Sequence, residues 1–591
     1  MVALATNHFQ VDFCVVGGGL AGLCAAIAAA RQGAKTLLMH ERPVLGGNAS
    51  SEIRMWVSGA HGDNNRETGI LEEIMMENQH YNPDKNYSIW DAILLQKAWA
   101  EENLTLLLNC SCMEAEMVGA RIASVTGWQM TTQRFCKVEA TLFADCSGDS
   151  ILAPLTGAQF RLGREARSEF SESIAPEKAD SYTMGLTCLM QAEETDRPHA
   201  HVPLPFADRI GPEDLTHRVP NLQDVAENFW YLELGGQNDS IADTERIRDE
   251  LIKLNYGLWN YLKNDPALRK QHENWRLDWM AALPGKRESR RYVGVYTLTE
   301  NDILAGGVFP DVIAYGGWTM DDHHPAGFRT KEPPNIFHPA PSPYGIPFGC
   351  LYSANVPNLL FAGRNISVTH AGLSSTRVMG TCALLGQATG TAAGLAIRHS
   401  CLPADIAKDH MHQLQQTLLR EDCFPPGVRR EISDLCRQAA LTGDGEGLES
   451  LRDGIDRPRP DGDHAWTGRC GDRISYAFPA ASHVRSIRLV MDSDLNRESL
   501  PALESQLKRG MFHNRLMGRE PAHLPTTLLK AYRVTARLAN GSTLEVLHEA
   551  HNIHRLRIHP VDVPDCVGLT LEPLETWGSD TVRLFAFEAG G

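Results

Sequence analysis

The strongest constraint on this chain is a run of glycines, Gly17-Gly18-Gly19, set between a short apolar stretch and an alanine-rich one. Residues 11–16 (VDFCVV) end abruptly at the first glycine, as a buried parallel strand does. GGGLAG (17–22) fits G-x-G-x-x-G, residues 25–30 continue as strong helix formers, and Gly33 closes the helix. Residues 35–39 (KTLLM) predict a second strand, and Glu41 follows 24 positions after Gly17. Each part has a task in holding a dinucleotide. Gly17 permits the turn, Gly19 lets backbone approach a pyrophosphate, and Gly22 lets helix and strand pack closely. Leu20 and Ala21 complete the loop, where the helix start offers free N–H groups and the positive end of its dipole. Glu41 can accept hydrogen bonds from a ribose diol. The order strand, glycine turn, helix, strand, acid predicts dinucleotide binding.

The next residues favour FAD over NAD. Arg42 leads to Gly46-Gly47-Asn48, a second glycine pair that lets another backbone segment run beside the same ligand. This segment resembles the E-x-x-x-x-G-G element of two-dinucleotide-binding-domain flavoproteins. Residues 142–149 (LFADCSGD) predict a strand and turn carrying Asp145, Gly148 and Asp149. They look like the element that returns to an FAD domain, with Ser147 in place of the usual Thr. Residues 358–365 (NLLFAGRN) predict another strand, ending at Gly363 and Arg364.

The stretch VPNLLFAGRNISVTHAGLSSTRVMGTCALLGQATGTAAGLA (356–396) resembles the closing segment of the FAD-dependent oxidoreductase family, distant relatives of fumarate reductase flavoprotein subunits. RESRRYVGVYTLTENDIL (287–304), FWYLELGG (229–236) and YGIPFGCLY (344–352) resemble that family's internal segments, so the likeness spans roughly residues 10–420. It implies non-covalent FAD, with Gly363 and Arg364 at the flavin. It also implies a helix over 378–397 aiming its N-terminus at the pyrimidine end of the isoalloxazine. Small side chains let that helix approach closely, and its dipole suits the negative charge of reduced flavin. His61 lacks the context of histidyl-flavin subunits, and nothing in the cysteine spacing suggests an iron–sulfur cluster or another metal site.

Residues 156–345 interrupt the FAD-binding elements and are expected to form an inserted substrate domain. It includes an amphipathic helix over 243–261, with Ile247, Leu251, Leu254 and Leu258 facing the core. Three clusters inside or beside it carry candidate chemistry: Arg287, Arg290 and Arg291; Asp321-Asp322-His323-His324-Pro325; and Thr369-His370, just beyond the Gly363 turn. If an alcohol is oxidised, a base must take the hydroxyl proton, and His324 or His370 suits that near neutral pH. If an enoate is reduced, an arginine clamps the carboxylate, and Arg290 is the candidate to touch substrate.

Beyond a helical connector (401–435), with a helix over 402–420, the texture changes. Residues 473–478, 484–490, 532–538 and 582–587 alternate with period two, and Asn540-Gly541 marks a hairpin turn. These predict a β-sandwich over 436–591. LRDGIDRPRPDGDHAWTG (451–468) resembles the opening of discoidin-like, galactose-binding modules, which implies bracing, oligomerisation or glycan binding, with Trp466 either a stacking platform or core. The expected fold is α/β: a discontinuous Rossmann-like FAD domain (1–155 and 346–400), an inserted α+β domain and a C-terminal sandwich.

Composition narrows the function. With 56 Lys and Arg against 73 Asp and Glu, the net charge is −17, unlike a nucleic-acid binder. Fourteen cysteines without a C-x-x-C pair suggest reduced thiols in a cytoplasmic setting. Two uncharged stretches, 13–30 and 378–397, are too rich in glycine and threonine for lipid-facing spans, so no membrane partner is expected. The expected function is hydride transfer between flavin N5 and a hydroxylated carbon of a small polar substrate, a sugar or sugar acid. A separate electron acceptor or redox partner, or dioxygen, must restore the flavin, since no second G-x-G-x-x-G is present. Fumarate-reductase-like enoate reduction and carbohydrate binding with a structural FAD are the alternatives, and homo-oligomerisation is a further expectation.

Overall fold

Three strand ends fall in register around Asp145. Val16 pairs with both Met39 and Asp145, and Asp145 pairs with Phe361. The four strands concerned, Thr6–Val16, Thr36–Met39, Arg134–Asp145 and Leu359–Phe361, run parallel. Their carboxyl ends therefore deliver Gly17, Glu41, Gly148 and Gly363 to one edge of the sheet, the place where open α/β sheets bind ligands. The computed structural model describes residues 4–224, 227–497, 499–500, 509–512 and 521–591.

This sheet has seven strands. Leu104–Leu107 flanks Thr36–Met39 on one side, and the antiparallel strands Arg121–Gln129 and Cys110–Val118 extend it beyond Arg134–Asp145. The first strand begins at Thr6, five residues before its apolar run, because its start pairs with Phe135 to Glu139. The helix Leu20–Arg31 follows the glycine turn and is buried along nearly its whole length.

The helix Met379–Arg398 packs against it through glycines at four-residue spacing. A Cβ on Gly386 or Gly390 would lie 2.0 Å from the carbonyl oxygens of Ala21 and Ala25 respectively. The small-residue stripe is thus a helix–helix seam. The first turn, Met379-Gly380-Thr381, lies before that seam, and its cap Val378 makes no side-chain hydrogen bond.

The region between these elements is built from short two-stranded pairings and the amphipathic helix Thr244–Asn264. Ile247, Leu251, Leu254 and Leu258 of that helix are buried in its core with Phe229, Leu232 and Trp275. The strand Met320–His323 pairs antiparallel with Asn335–His338 and carries three of the charged residues described below. The helix expected over 402–420 is two helices, Pro403–Asp409 and Met411–Arg420. His410 breaks it, with φ −130° outside the helical range.

The described residues divide into two compact units: those within 4–60, 85–414 and 511–512 form one, and those within 61–84, 415–510 and 521–591 the other. The second contains a seven-stranded, antiparallel, β-sandwich-like sheet. The stretches 473–478 and 484–490 belong to one strand, Ile474–Met491, and not two. Pro479 lacks an N–H for the ladder, and three register shifts between Ala477 and Ser486 absorb the irregularity without ending the strand. Asn540-Gly541 turns the hairpin between Leu529–Leu538 and Thr543–Glu549, with Gly541 at φ +84°. Trp466 is fully buried and its indole N–H donates to the Asp444 carbonyl at 2.9 Å, which makes it core and not a stacking platform.

Candidate functional site

The glycine turn is built as its spacing predicts. Gly17 sits at φ +104°, and a Cβ there would fall 2.4 Å from the Cys146–Ser147 backbone. A Cβ on Gly22 would meet the Gly17 carbonyl oxygen at 1.8 Å. Gly19 differs: its Cβ would meet only Gly47 Cα, at 3.9 Å, so this position opens onto space. Leu20 and Ala21 are buried as the helix begins. Gly46 and Gly47, at φ +104° and +61°, lie alongside, with Gly46 N–H donating to the Gly18 carbonyl at 2.8 Å. Arg42 lies against Glu52 at 3.4 Å, and Asn48 Nδ2 donates to the Lys286 carbonyl at 3.1 Å.

Glu41, with its side chain 45% exposed, stands at the end of the second strand. His40 supports it. The Gly18 N–H donates to His40 Nδ1 at 3.0 Å, which makes that nitrogen an acceptor, and Nε2 faces the Val44 carbonyl at 3.0 Å. Glu41 Oε2 lies 3.1 Å from His40 Nδ1 and Oε1 lies 3.5 Å from Arg42 Nε; burial opposes its charge, but these neighbours hold its carboxyl down at about 2, so it stands as a carboxylate able to accept.

Asp145 differs from expectation. Its Oδ1 accepts from Ser147 N–H and Oγ, and its Oδ2 from Leu152 N–H and Tyr292 OH. With four donors and no exposure it fixes the turn and has nothing to offer a ligand; burial pushes its carboxyl up. Asp149 takes Arg364 Nη2 and Lys286 Nζ, each at 2.6 Å. Burial opposes its charge, but Arg364 and Lys286 hold it below the usual carboxylate range. Gly148, at φ +78°, lets Arg364 pass where a Cβ would sit 2.3 Å from Nη1. Gly363 turns at φ +113°.

The stretch 364–381 supplies a test of fit for FAD. Five buried polar atoms in it have no hydrogen-bond partner among the described residues: Arg364 Nε, Asn365 Oδ1, Thr376 Oγ1, Arg377 Nε and Thr381 Oγ1. Burying so many unpaired groups is costly unless a polar ligand meets them. With the open Gly19 position and the part-exposed carboxylate of Glu41, the donor and acceptor set fits a flavin dinucleotide.

The candidate catalytic residues separate. His370, heading the helix His370–Thr376, is buried between two carboxylates. Its Nδ1 meets Glu288 at 2.9 Å and its Nε2 meets Asp322 Oδ1 at 3.2 Å. Both nitrogens must donate, so the ring is an imidazolium. Burial opposes that charge, yet Glu288 and then Asp322 raise its pKa to about 10. In this setting His370 is a loaded acid, not the free base expected of it. Around it, Glu165 accepts the His370 backbone N–H at 2.9 Å and pairs with Arg291 at 3.1 Å. Arg164 grips Asp180 through two hydrogen bonds of 3.1 and 2.6 Å.

His324 joins none of this. It is half-buried, and its Nδ1 accepts the Ala326 N–H at 3.1 Å, a turn contact. Its neighbour His323 is the engaged one, with Nδ1 2.7 Å from Glu233 and Nε2 3.3 Å from Asp321. Arg290 is half-buried, donates weakly to the Asp149 carbonyl at 3.4 Å and lies over the Phe160 ring at 5.5 Å. Arg287 and Arg291 are the ion-paired members of that basic stretch. Sequence reasoning missed Glu233, Glu288 and Arg377. Strand alternation in Asp321-Asp322-His323 was the available signal that Asp322 faces away from its two neighbours.

A family model described as FAD dependent oxidoreductase matches residues 12–418. None of the curated proteins compared matches the chain. Among solved structures, the OxyS anhydrotetracycline hydroxylase from Streptomyces rimosus is similar at 12% identity and TM-score 0.33, over 69% of this chain and 66% of its own. A geranylgeranyl bacteriochlorophyll reductase-like protein from Thermoplasma acidophilum is similar at 12% identity and TM-score 0.29, over 71% and 85%. The family 32 carbohydrate-binding module of Streptococcus pneumoniae EndoD is similar at 11% identity and TM-score 0.20, over 27% and 99%. Among the described residues no helix is long and apolar enough to cross a membrane, and no group of side chains is arranged to hold a metal ion. With its family model covering most of the chain and its glycine turns in place, the chain belongs to the FAD dependent oxidoreductase family and is an FAD-dependent oxidoreductase.

Proposed function

We propose that this oxidoreductase transfers a hydride between its flavin and a hydroxylated carbon of a small, carbohydrate-like substrate, with Glu288–His370–Asp322 carrying the proton. The single observation that carries this is the clamping of His370 by two carboxylates, beside the stretch of unpaired polar atoms that fits the flavin. When bound, FAD supplies the hydride acceptor or donor. The turn shaped by Gly17 and Gly22 would hold its phosphates at the open Gly19 position, Glu41 would accept from its ribose, and Gly46, Gly47, Gly363 and Arg364 would line the rest.

The substrate lies on the side formed by residues 156–345. Asp322 and Asp180 are partly exposed carboxylates that accept hydrogen bonds from substrate hydroxyls. His370 starts protonated, so the relay is stocked for donation: the proton leaves through Asp322 to the substrate oxygen as a carbonyl becomes an alcohol. By microscopic reversibility the same groups receive it in oxidation. A separate acceptor, a redox partner or dioxygen, exchanges electrons with the flavin in a cytoplasmic setting.

A second reading, reduction of an enoate, is also favoured by the loaded state of His370. An anaerobic titration in both directions tests them. Oxidised holoenzyme is offered sugars and sugar acids; photoreduced holoenzyme is offered their keto counterparts and enoates. Reoxidation by a keto sugar, lost in Asp322→Asn, supports the proposal, and reoxidation by enoates alone selects the second reading. No response in either direction overturns both.

A further inference from the structure

The face of strand Met320–His323 opposite Asp322 carries a second charged assembly, which the proton relay does not use. Glu233 is fully surrounded: it accepts from the Gly185 N–H at 2.6 Å, faces His323 Nδ1 at 2.7 Å and lies 3.4 Å from Arg287. His323 passes the contact on to Asp321 at 3.3 Å. Asp321 in turn accepts Asn335 Nδ2 at 2.5 Å and Arg377 Nη2 at 3.1 Å, and the same Nη2 reaches the Asp321 carbonyl. Trp230 lies edge-on to His323, with ring centroids 5.5 Å apart.

Both nitrogens of His323 face carboxylates, so this ring too is a cation. The groups in direct contact are then three cations, Arg287, His323 and Arg377, and two carboxylates, Glu233 and Asp321. One positive charge is left over in a buried place. Arg377 ends the assembly, with its Nη2 on Asp321 and its buried Nε without a hydrogen-bond partner among the described residues. A largely buried guanidinium, 12% exposed, with an unused Nε donor in a cluster of net positive charge is completed by an accepting oxygen, most strongly an anionic one.

Resting on the flavoenzyme reading above, we propose that Arg377 receives an anionic oxygen group and that His323, acting through Asp321, is the residue that positions it. The oxygen comes either from the substrate, as a carboxylate, or from the cofactor. Because Asp321 holds Nη2 from two directions, the guanidinium is fixed before the ligand arrives, and loss of His323 releases Asp321 and with it Arg377.

Holoprotein reconstituted with FAD distinguishes the sources. FAD affinity is measured by fluorescence quenching, and anion binding by perturbation of the flavin spectrum with D-gluconate, with D-glucose as the neutral control. If the oxygen is the substrate's, wild type binds gluconate in preference to glucose, and Arg377→Met weakens gluconate at least tenfold with FAD affinity unchanged. If it is the cofactor's, Arg377→Met weakens FAD at least tenfold. In either case Arg377→Lys, which keeps the charge, recovers part of the loss, and His323→Asn weakens the same ligand as Arg377→Met. If Arg377→Met or, should that variant not fold, Arg377→Gln changes neither ligand by more than twofold, the receptor is overturned. If only His323→Asn is silent, its positioning role is overturned. Wild type that binds FAD but turns nothing over would count against the proposed function alone.

Discussion

Asp321 and Asp322 are adjacent in the chain, yet their carboxylates serve different imidazoles: Asp321 lies 3.3 Å from His323 Nε2, and Asp322 lies 3.2 Å from His370 Nε2. Strand alternation separates them, sending Asp321 and His323 to one face and Asp322 to the other. One strand thereby builds two Glu–His–Asp chains, completed by Glu233 and Glu288 from distant segments. The chain at His370 has a partly exposed end and can exchange protons; the one at His323 is buried and ends on an arginine.

The first prediction concerns that exposed end. Asp322→Asn and His370→Gln should each lower the rate of substrate turnover on the order of 10²–10⁴-fold, the usual range for loss of acid–base assistance. The flavin spectrum should survive in both. Single-turnover kinetics on the substrate found by the titration check this, and a rate within a few-fold of wild type would remove the relay from the mechanism.

Stability should depend on pH through His370. A free histidine titrates near 6.5, whereas His370 is held protonated up to about 10. A raised pKa means that the folded state holds the proton more tightly, so this stabilisation is complete below pH 6.5 and is lost as pH rises through about 10. The Tm advantage of wild type over His370→Gln should shrink steadily from neutral pH to about 10. A constant difference would show that His370 does not titrate as described.

Gly19 and Gly22 should fail in different ways. Gly22→Ala drives a Cβ into the Gly17 carbonyl and should cost about 1–3 kcal/mol of stability. Gly19→Ala meets open space, so its Tm without cofactor should stay within about 0.5 kcal/mol equivalent of wild type. Its FAD affinity should nevertheless fall roughly tenfold, about 1.4 kcal/mol. Melting curves with and without FAD separate the two effects.

In the second compact unit, Asp456 accepts Arg430 Nη2 at 3.1 Å and Arg488 Nη2 at 2.7 Å, all three being buried or nearly so. Burial opposes its charge, but the two guanidiniums hold it well below the usual range. Asp456→Asn leaves Arg488 without its carboxylate while Arg430 keeps Glu588, and should destabilise by about 3–5 kcal/mol, seen by denaturant unfolding of the full chain.

How much of this was legible in the sequence follows from the range of the interactions. Gly17, Gly19 and Gly22 work through local backbone geometry, and the hairpin at Asn540-Gly541 does too, so spacing alone revealed them. Asp145 was misjudged because an acid at a strand end looks the same whether it faces a ligand or, as here, Tyr292 and its own turn. His324 was preferred over His323 because the dipeptide offers no local distinction; the difference lies in Glu233, 90 residues away. The helix Met379–Arg398 was recognised, but its glycines match Ala21 and Ala25, a pairing that exists only once both helices are folded.

The most direct test of the central claim is an anaerobic visible spectrum of the purified protein, before and after a pooled panel of sugars, sugar acids and their keto forms, starting from oxidised and from photoreduced enzyme. The expected result is a two-banded flavin spectrum that bleaches or returns with at least one pool. Absence of that spectrum even after reconstitution with FAD would contradict it.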